Sequence, residues 1–122
     1  MSATITVPIK GEPCPVPYDQ RAEESVLGFF LHEPSIFPRV RRHLDDDSFF
    51  SPGARNVFQV MCDIADRGEA ISLEDVAHGI DALDFFALTD AVAHCAMTRI
   101  LFYCDLGVVL RDAARRKAEV AA

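Results

Sequence analysis

A chain of 122 residues has the size of one domain, and because half of its residues are apolar it is globular rather than intrinsically disordered. Its 19 acidic residues outnumber the 12 basic ones, and the net charge of -7 argues against nucleic acid as the direct partner, since that binding needs cations placed against phosphates. No apolar run reaches the roughly 20 residues of a membrane helix, and the N-terminus lacks an export signal, so we expect a cytoplasmic protein without a membrane anchor.

The first 18 residues predict an extended arm, because four of them are prolines, which lack a backbone donor and bias their neighbours away from helix. Asp19 can then cap a first helix that reaches about Leu31. In this helix Glu23 and Glu24 are expected near the positive end of the helix dipole. Its buried stripe is expected to contain Val26, Leu27, Phe30 and Leu31.

Three more helices are predicted before residue 84. Ser35 can cap a short helix that ends near residue 43, and the acidic residues 45–47 follow it as a solvated link. Ser51, which precedes a proline, starts a longer helix that ends at Gly68. Ser72, with an acid three positions later, has the form of a capping box and starts the fourth helix. Apolar residues at helical spacing predict the core positions Ile36, Phe37, Val40, Leu44, Val57, Phe58, Met61, Ile64, Ala65, Leu73, Val76, Ala77 and Ile80.

The C-terminal part predicts two further helices, one from Asp84 to Ala96 and one that Thr98 caps and that ends near Lys117. Because the turn between them is very short, we expect them to fold back on each other as a hairpin. Only two residues interrupt the apolar run from residue 100 to 110. A helix that is apolar nearly all round has to be covered nearly all round, and in a chain this small we expect a second molecule to supply part of the cover.

The sequence therefore predicts a self-associating all-α protein. It consists of the arm (residues 1–18), a compact helical head of about four helices (19–83), a helical hairpin that forms one domain with the head (84–118) and a tail (119–122). The expected oligomer-interface residues on the hairpin are Phe85, Phe86, Phe102, Tyr103, Leu106, Val109 and Leu110. Candidates for partner-facing charges are Arg111, Arg115 and Arg116, although a solvated face at a helix C-terminus explains this basic cluster as well.

No set of residues in the sequence predicts catalysis, a cofactor or a bound metal. Cys14, Cys62, Cys95 and Cys104 are scattered without a CxxC pair, and the last three lie in apolar helical stretches where small core residues are expected. A Walker A loop, GxxxxGK[ST], does not occur, and no Ser, His and acid set indicates an activated nucleophile. We therefore expect this chain not to be an enzyme.

Three short motifs occur in a fixed order: AEESVLG at residues 22–28, DDDSFF at 45–50 and RGEAISLEDV at 67–76. In order and spacing they resemble the N-terminal domain of the DnaB-type replicative helicase, and the resemblance covers roughly residues 19 to 117. In that family a helical head is followed by a helical hairpin, and the hairpins pair to build the collar of a hexameric ring. Two departures concern the turn geometry: the Gly-rich connection before the hairpin is shortened to DALD at residues 81–84, and Arg99 stands where an Asn is usual.

The resemblance implies a protein-interaction and oligomerisation module of the primosome or replisome, without an ATPase motor in this chain. The implied partners are the protein itself, a replicative helicase or primase and a helicase loader, with DNA contacted only indirectly. If the chain is a fragment, its parent would be an ATP-dependent DNA helicase.

Two alternatives stay open at this stage. The first is a free-standing regulator or inhibitor that binds a replicative helicase or primase, and the reading frame downstream separates it from a helicase fragment. The second is an unrelated dimeric helical bundle that shares only core patterning. The C-terminal domain of primase has a similar general fold, but the order of the three motifs favours the helicase side.

Overall fold

The computed structural model describes residues 18–121, with side chains through residue 119. Within this range six α-helices and one 3-10 turn follow in the order α1 (Gln20–His32), the turn (Pro34–Ile36), α2 (Phe37–Arg41), α3 (Pro52–Asp66), α4 (Leu73–Gly79), α5 (Asp84–Ala93) and α6 (Arg99–Ala121). No strand occurs between residues 18 and 121, and the all-α prediction is confirmed. The predicted arm lies outside the described residues except for Tyr18, and α6 continues through the predicted tail as far as Ala121.

Several helix ends form where the sequence predicts them. The side chains of Asp19, Ser72 and Thr98 each accept a hydrogen bond from the backbone N–H three residues later, at 3.1 to 3.2 Å. Each bond satisfies an amide that the first helical turn would otherwise leave without a partner. Gly68 follows α3 with a φ of 79°, the left-handed conformation that a glycine adopts without steric cost.

Two predicted caps do not form. Ser35 lies inside the 3-10 turn, so the second helix starts later and is shorter than predicted. Ser51 precedes α3 as predicted, but its hydroxyl makes no capping hydrogen bond. The N–H groups of Phe50 and Ser51 instead donate to the carboxylate of Glu23, at 2.8 and 3.2 Å. A side chain of α1 therefore fixes the segment that leads into α3.

Helix α1 lies at the centre of the fold, and every residue from Ala22 to Phe30 is buried. It packs against α3, α5 and α6. The sequence predicted one buried stripe, and the burial of Glu23 and Glu24 corrects that prediction, because helices cover α1 on its acidic side as well. Aromatic rings form much of the core, with neighbouring ring centroids 4.6 to 6.0 Å apart: Phe29, Phe30, Phe37, Phe49, Phe58 and Phe102.

Helix α6 runs antiparallel to α1. Arg99, at its start, forms an ion pair with Glu33 just after the end of α1, at 2.7 Å. Further along, the hydroxyl of Ser25 donates to the carboxylate of Asp105. Near the other end Arg116 donates to backbone carbonyls in the segment before α3, at 2.9 and 3.2 Å. These contacts hold α6 against α1 and the segment before α3, and they determine which face of α6 points outward.

The predicted hairpin of the last two helices does not form. The Nδ1 atom of His94, directly after α5, lies 2.7 Å from a carboxylate oxygen of Glu24, and Ala91 lies beside Gly28. Helix α5 therefore also runs opposite to α1. Because α5 and α6 both run opposite to α1 and each packs on it, they cannot form an antiparallel pair with each other. The buried central helix α1, and not a hairpin, is the element that connects them.

Glu23 is buried in the interior and only 2% exposed. Burial raises its pKa to about 7, although the N–H groups of Phe50 and Ser51 act in the opposite direction by stabilising the carboxylate. The folded protein therefore holds a proton at Glu23 between about pH 4.5 and 7, where the unfolded chain has released it. In this range the contribution of Glu23 to the free energy of unfolding decreases as the pH rises, and above it the contribution stays constant.

Replacing Gly28 with Ala should destabilise the protein by on the order of 3 kcal/mol. The added Cβ would lie 2.1 Å from the backbone oxygen of Ala91 and 2.3 Å from Cβ of Cys95, so α1 and α5 would have to separate. Gly107→Ala in α6 is the matched control at a protein concentration low enough to keep both proteins monomeric, because its Cβ meets nothing within 4 Å in its own chain. That change should stabilise by about 0.5–1 kcal/mol through helix propensity. Urea unfolding followed by circular dichroism measures both; equal effects would contradict the packing described for α1.

Replacing Glu23 with Gln should remove a pH dependence of stability. Between pH 5 and 8 the free energy of unfolding of the wild type should decrease by up to about 3 kcal/mol because Glu23 loses its proton. The neutral amide of the variant does not titrate, so this decrease should be absent. Urea unfolding at both pH values measures the difference between the two proteins. Glu74→Gln, at an exposed acid, serves as the control and should keep the wild-type pH dependence. A Glu23→Gln protein with that same dependence would show that Glu23 is ionised throughout.

Candidate interaction surfaces

Large apolar side chains exposed to solvent are confined to the C-terminal half of the described residues. All nine lie between residues 73 and 103, on α4, α5, the first turns of α6 and the loops between them: Leu73, Leu83, Phe85, Phe86, Val92, Met97, Ile100, Leu101 and Tyr103. Single exposed apolar residues are common, but a concentration of this kind marks a binding surface. The surfaces that can take part in binding are therefore on α4, α5 and α6.

Helix α6 presents two stripes of residues at helical spacing. Its inner stripe is buried and consists of Phe102, Leu106, Val109 and Ala113, which are 0 to 8% exposed. The positions that alternate with them form the outer stripe, which is exposed: Ile100, Tyr103, Cys104, Gly107, Arg111 and Ala114. Spacings of three and four residues place each set on one side of the helix. The chain therefore covers one side of α6 itself and leaves the other side to solvent.

The structure corrects the predicted oligomer interface. Phe102, Leu106 and Val109 were expected to contact a second molecule, but they belong to the core of their own chain, because α6 packs along α1 and not along α5. Among the other predicted residues Tyr103 is 53% exposed and Leu110 is half-buried. Phe85 and Phe86 on α5 are also exposed, at 51 and 71%. Four of the seven residues thus keep accessible surface.

Sequence reasoning did not single out Ile100, Cys104 or Gly107 as interface residues. Cys104 was expected in the core but is exposed, whereas Cys62 and Cys95 are half-buried. The small residues at 104, 107 and 114 alternate with the large ones at 102, 106 and 109, and this alternation separates the two stripes. The same pattern was available in the sequence, but an almost continuous apolar run obscured it.

The basic cluster at the end of α6 has mixed roles. Arg115 is exposed, and Arg111 is exposed beside Asp112 at 3.5 Å, so both can face a partner. Arg116 does not fit the predicted partner-facing role, because it donates to backbone carbonyls before α3 and its guanidinium lies 5.3 Å from the ring centroid of Phe50. Its neighbour Lys117 pairs with Asp45 at 2.7 Å, and the hydrogen bond from this lysine lowers the pKa of the aspartate carboxyl.

One polar groove brings together residue types that occur in hydrolases. Ser25, His94 and four acids line a cavity of about 760 Å³ between α1, α5 and the start of α6. The Ser25 hydroxyl, however, donates to Asp105, while His94 contacts Glu24. A nucleophilic serine needs a base that accepts its proton, with an acid behind that base, and the two pairs here are separate. The polar residues of this groove therefore hold helices together and do not form a catalytic site.

Among residues 18–121 no group of three or more His, Cys, Asp or Glu side chains is arranged to hold a metal ion. In the same range no helix has the length and apolar character needed to cross a membrane.

Comparison with known proteins gives three findings that agree with one another. Residues 15–96 match the model of the family described as the DnaB-like helicase N terminal domain. The replicative DNA helicase DnaB of Treponema pallidum (strain Nichols) is 29% identical over 112 residues, which is 84% of this chain and 24% of that protein. The chain thus spans about a quarter of the length of this relative. The crystal structure of the N-terminal domain of DnaB helicase from Mycobacterium tuberculosis superposes with a TM-score of 0.74 at 24% identity, covering 87% of this chain and 81% of that one.

Proposed function

Because the chain belongs to the family of DnaB-like helicase N-terminal domains, we propose that it is a module for self-association and protein binding in DNA replication. The observation that carries this proposal is the confinement of all exposed large apolar side chains of the described region to α4, α5, the start of α6 and their connecting loops. A surface with its exposed apolar residues in one region is typical of a domain that binds other proteins. A replication domain works beside the chromosome, so we also place the protein in the cytoplasm.

We propose that two copies associate through the outer stripe of α6. Ile100 and Tyr103, at 77 and 53% exposed, supply the large apolar contacts. Gly107 supports the same assignment by a different argument. A glycine inside a helix costs up to about 1 kcal/mol relative to alanine, yet a Cβ at this position would meet nothing in its own chain. Close approach of a second backbone is a physical reason to keep a glycine at such a position.

The wider partners are proposed from the relatives. The Treponema relative is named a replicative DNA helicase, and this chain covers 24% of it. We infer that the motor activity of such a helicase lies outside the matched quarter. We propose that the present domain serves such a motor, or the primase and loader that work with it, by holding proteins together. It does so without hydrolysing ATP, since the sequence contains no GxxxxGK[ST] loop to cradle a triphosphate.

The double substitution Ile100→Glu with Tyr103→Glu should dissociate the protein. Each change places a carboxylate where an apolar contact is proposed, and we expect association to weaken by roughly 30-fold or more. Sedimentation velocity over a range of concentrations measures the change, and circular dichroism should show unchanged helix content because both side chains are exposed.

Two further variants test where the interface lies. Leu83→Glu changes a side chain that is 80% exposed but lies outside α6, and it should associate like the wild type. Phe102→Glu places the charge in the core and should unfold the protein. A wild type that stays monomeric at high concentration, or a Leu83→Glu protein that dissociates as the double variant does, would contradict the proposed use of the outer stripe.

A further inference from the structure

Helices α4 and α5 both pack on α3, and an apolar groove of about 620 Å³ opens between them. Leu73 and Ala77 line one wall from α4, four residues apart. Phe85, Leu88 and Val92 line the other wall from α5, with spacings of three and four residues. Leu88 is buried at the base, whereas Leu73, Phe85 and Val92 are 44 to 51% exposed at the rims. The groove thus has helical walls, an apolar floor and apolar edges.

The two helices that form this groove, with the loops beside them, carry acidic residues and no lysine or arginine. Between Arg67 and Arg99 the sequence contains no lysine or arginine, and the same stretch carries six acids: Glu69, Glu74, Asp75, Asp81, Asp84 and Asp90. Glu74 lines the groove itself. Arg67 is already paired with Glu69, at 3.1 Å. Five of the six acids are exposed, and we refer to these acids on and beside α4 and α5 as the acidic rim: Glu69, Glu74, Asp75, Asp81 and Asp90.

We propose that the α4–α5 groove binds an amphipathic, positively charged helix of a partner protein. The inference rests on the proposed function, since it assigns one site of the interaction module to a partner. A groove between two helices accepts the ridge of a third helix, and apolar residues at i, i+3 or i+4 and i+7 of the partner would match the walls. The stretch from Phe85 to Val92 spans about 10 Å of helix axis, so two turns of the partner fill the slot.

The charge around the groove favours a cationic partner helix over a second copy of the chain or residues 1–17. A second copy of the chain carries a net charge of -7 and would bring more acid to an acidic rim. Its basic residues are concentrated around α2, which is only five residues long, and at the end of α6, where Arg116 and Lys117 already bind the segment before α3. Residues 1–17 carry one lysine and one glutamate and so lack the positive charge that the rim favours. Lysine or arginine flanking an apolar stripe on a partner helix would complement both features of the groove.

A synthetic probe tests this proposal directly. The probe is a fluorescein-labelled peptide about four turns long, with leucine at i, i+4, i+7 and i+11 and lysine and alanine elsewhere. Its control has glutamate in place of every lysine. Fluorescence anisotropy against increasing protein should show saturable binding of the lysine peptide that weakens with salt, and binding of the glutamate peptide at least tenfold weaker. Equal binding of both peptides, or binding of neither, would overturn the proposal.

Matched variants separate the groove from general charge attraction. Val92→Lys and Met97→Lys both replace an exposed apolar residue and both change the net charge by one, but only Val92 lines the groove. Val92→Lys should weaken binding of the lysine peptide at least tenfold, whereas Met97→Lys should stay within about twofold of the wild type. Leu73→Lys on the opposite wall provides the same test if Val92→Lys fails to fold. Equal affinities for the Val92 and Met97 variants would overturn the proposal.

Sedimentation of the same proteins distinguishes this inference from the proposed self-association. If Val92→Lys dissociates a wild-type dimer, a second copy occupies the groove and the assignment to a cationic partner is wrong. If the wild type is monomeric but binds the lysine peptide through Val92, the groove assignment stands and the outer stripe of α6 loses its proposed role. If the wild type associates and Val92→Lys loses only the peptide, both assignments hold.

Discussion

The structure depends on the burial of α1 on all sides, which requires that every polar group in its first turns finds a partner inside the protein. Three consecutive polar residues meet this condition. Glu23 accepts two backbone N–H groups before α3, Glu24 contacts His94 after α5, and Ser25 donates to Asp105 in α6. Successive helix positions differ by about 100° around the axis, so three neighbours in sequence reach three different elements. One short polar segment thereby organises most of the fold.

This arrangement also determines which surfaces are available. Gly28 lets α5 approach α1 until backbone and Cβ atoms are in contact, and the ion pair of Glu33 with Arg99 fixes the start of α6. With α1 between them, α5 and α6 cannot cover each other, and each keeps an outward side. On α6 that side is the outer stripe, and on α5 it forms one wall of the groove with α4. The surfaces proposed for self-association and for partner binding are therefore consequences of the same central packing.

Local features of the fold could be predicted from the sequence, because they depend on neighbours in the chain. The caps at Asp19, Ser72 and Thr98 and the stop at Gly68 need only a side chain and the next helical turn. Two errors concern contacts between distant parts of the chain. Glu23 was expected near the positive end of the helix dipole and outside the buried stripe, because its partners in the segment before α3 are almost thirty residues away. The hairpin was inferred from a short turn, and no local pattern in the sequence indicates that α5 and α6 both pack on α1.

For the candidate surfaces, too, local features could be predicted from the sequence, whereas features that depend on distant contacts could not. The apolar character of the run after Arg99 indicated that something covers it, but which residues face inward depends on the path of α6 along α1. For that reason Phe102, Leu106 and Val109 were assigned to an interface that they cannot reach from the core. The groove between α4 and α5 was not predicted at all, because its two walls come from helices that are brought together by a third. Its acidic rim, by contrast, is visible in the sequence as a long stretch without lysine or arginine.

Amide hydrogen exchange at low and high protein concentration tests the central claim most directly, namely that α1 is the buried core and α6 the surface where copies meet. The amides of α1 should exchange most slowly at both concentrations, since opening them requires global unfolding. Raising the concentration should add protection in the first half of α6, around Ile100 to Gly107, and leave α4 and α5 unchanged. Slow exchange centred on another helix, or added protection confined to α4 and α5, would contradict this account of the fold and its surfaces.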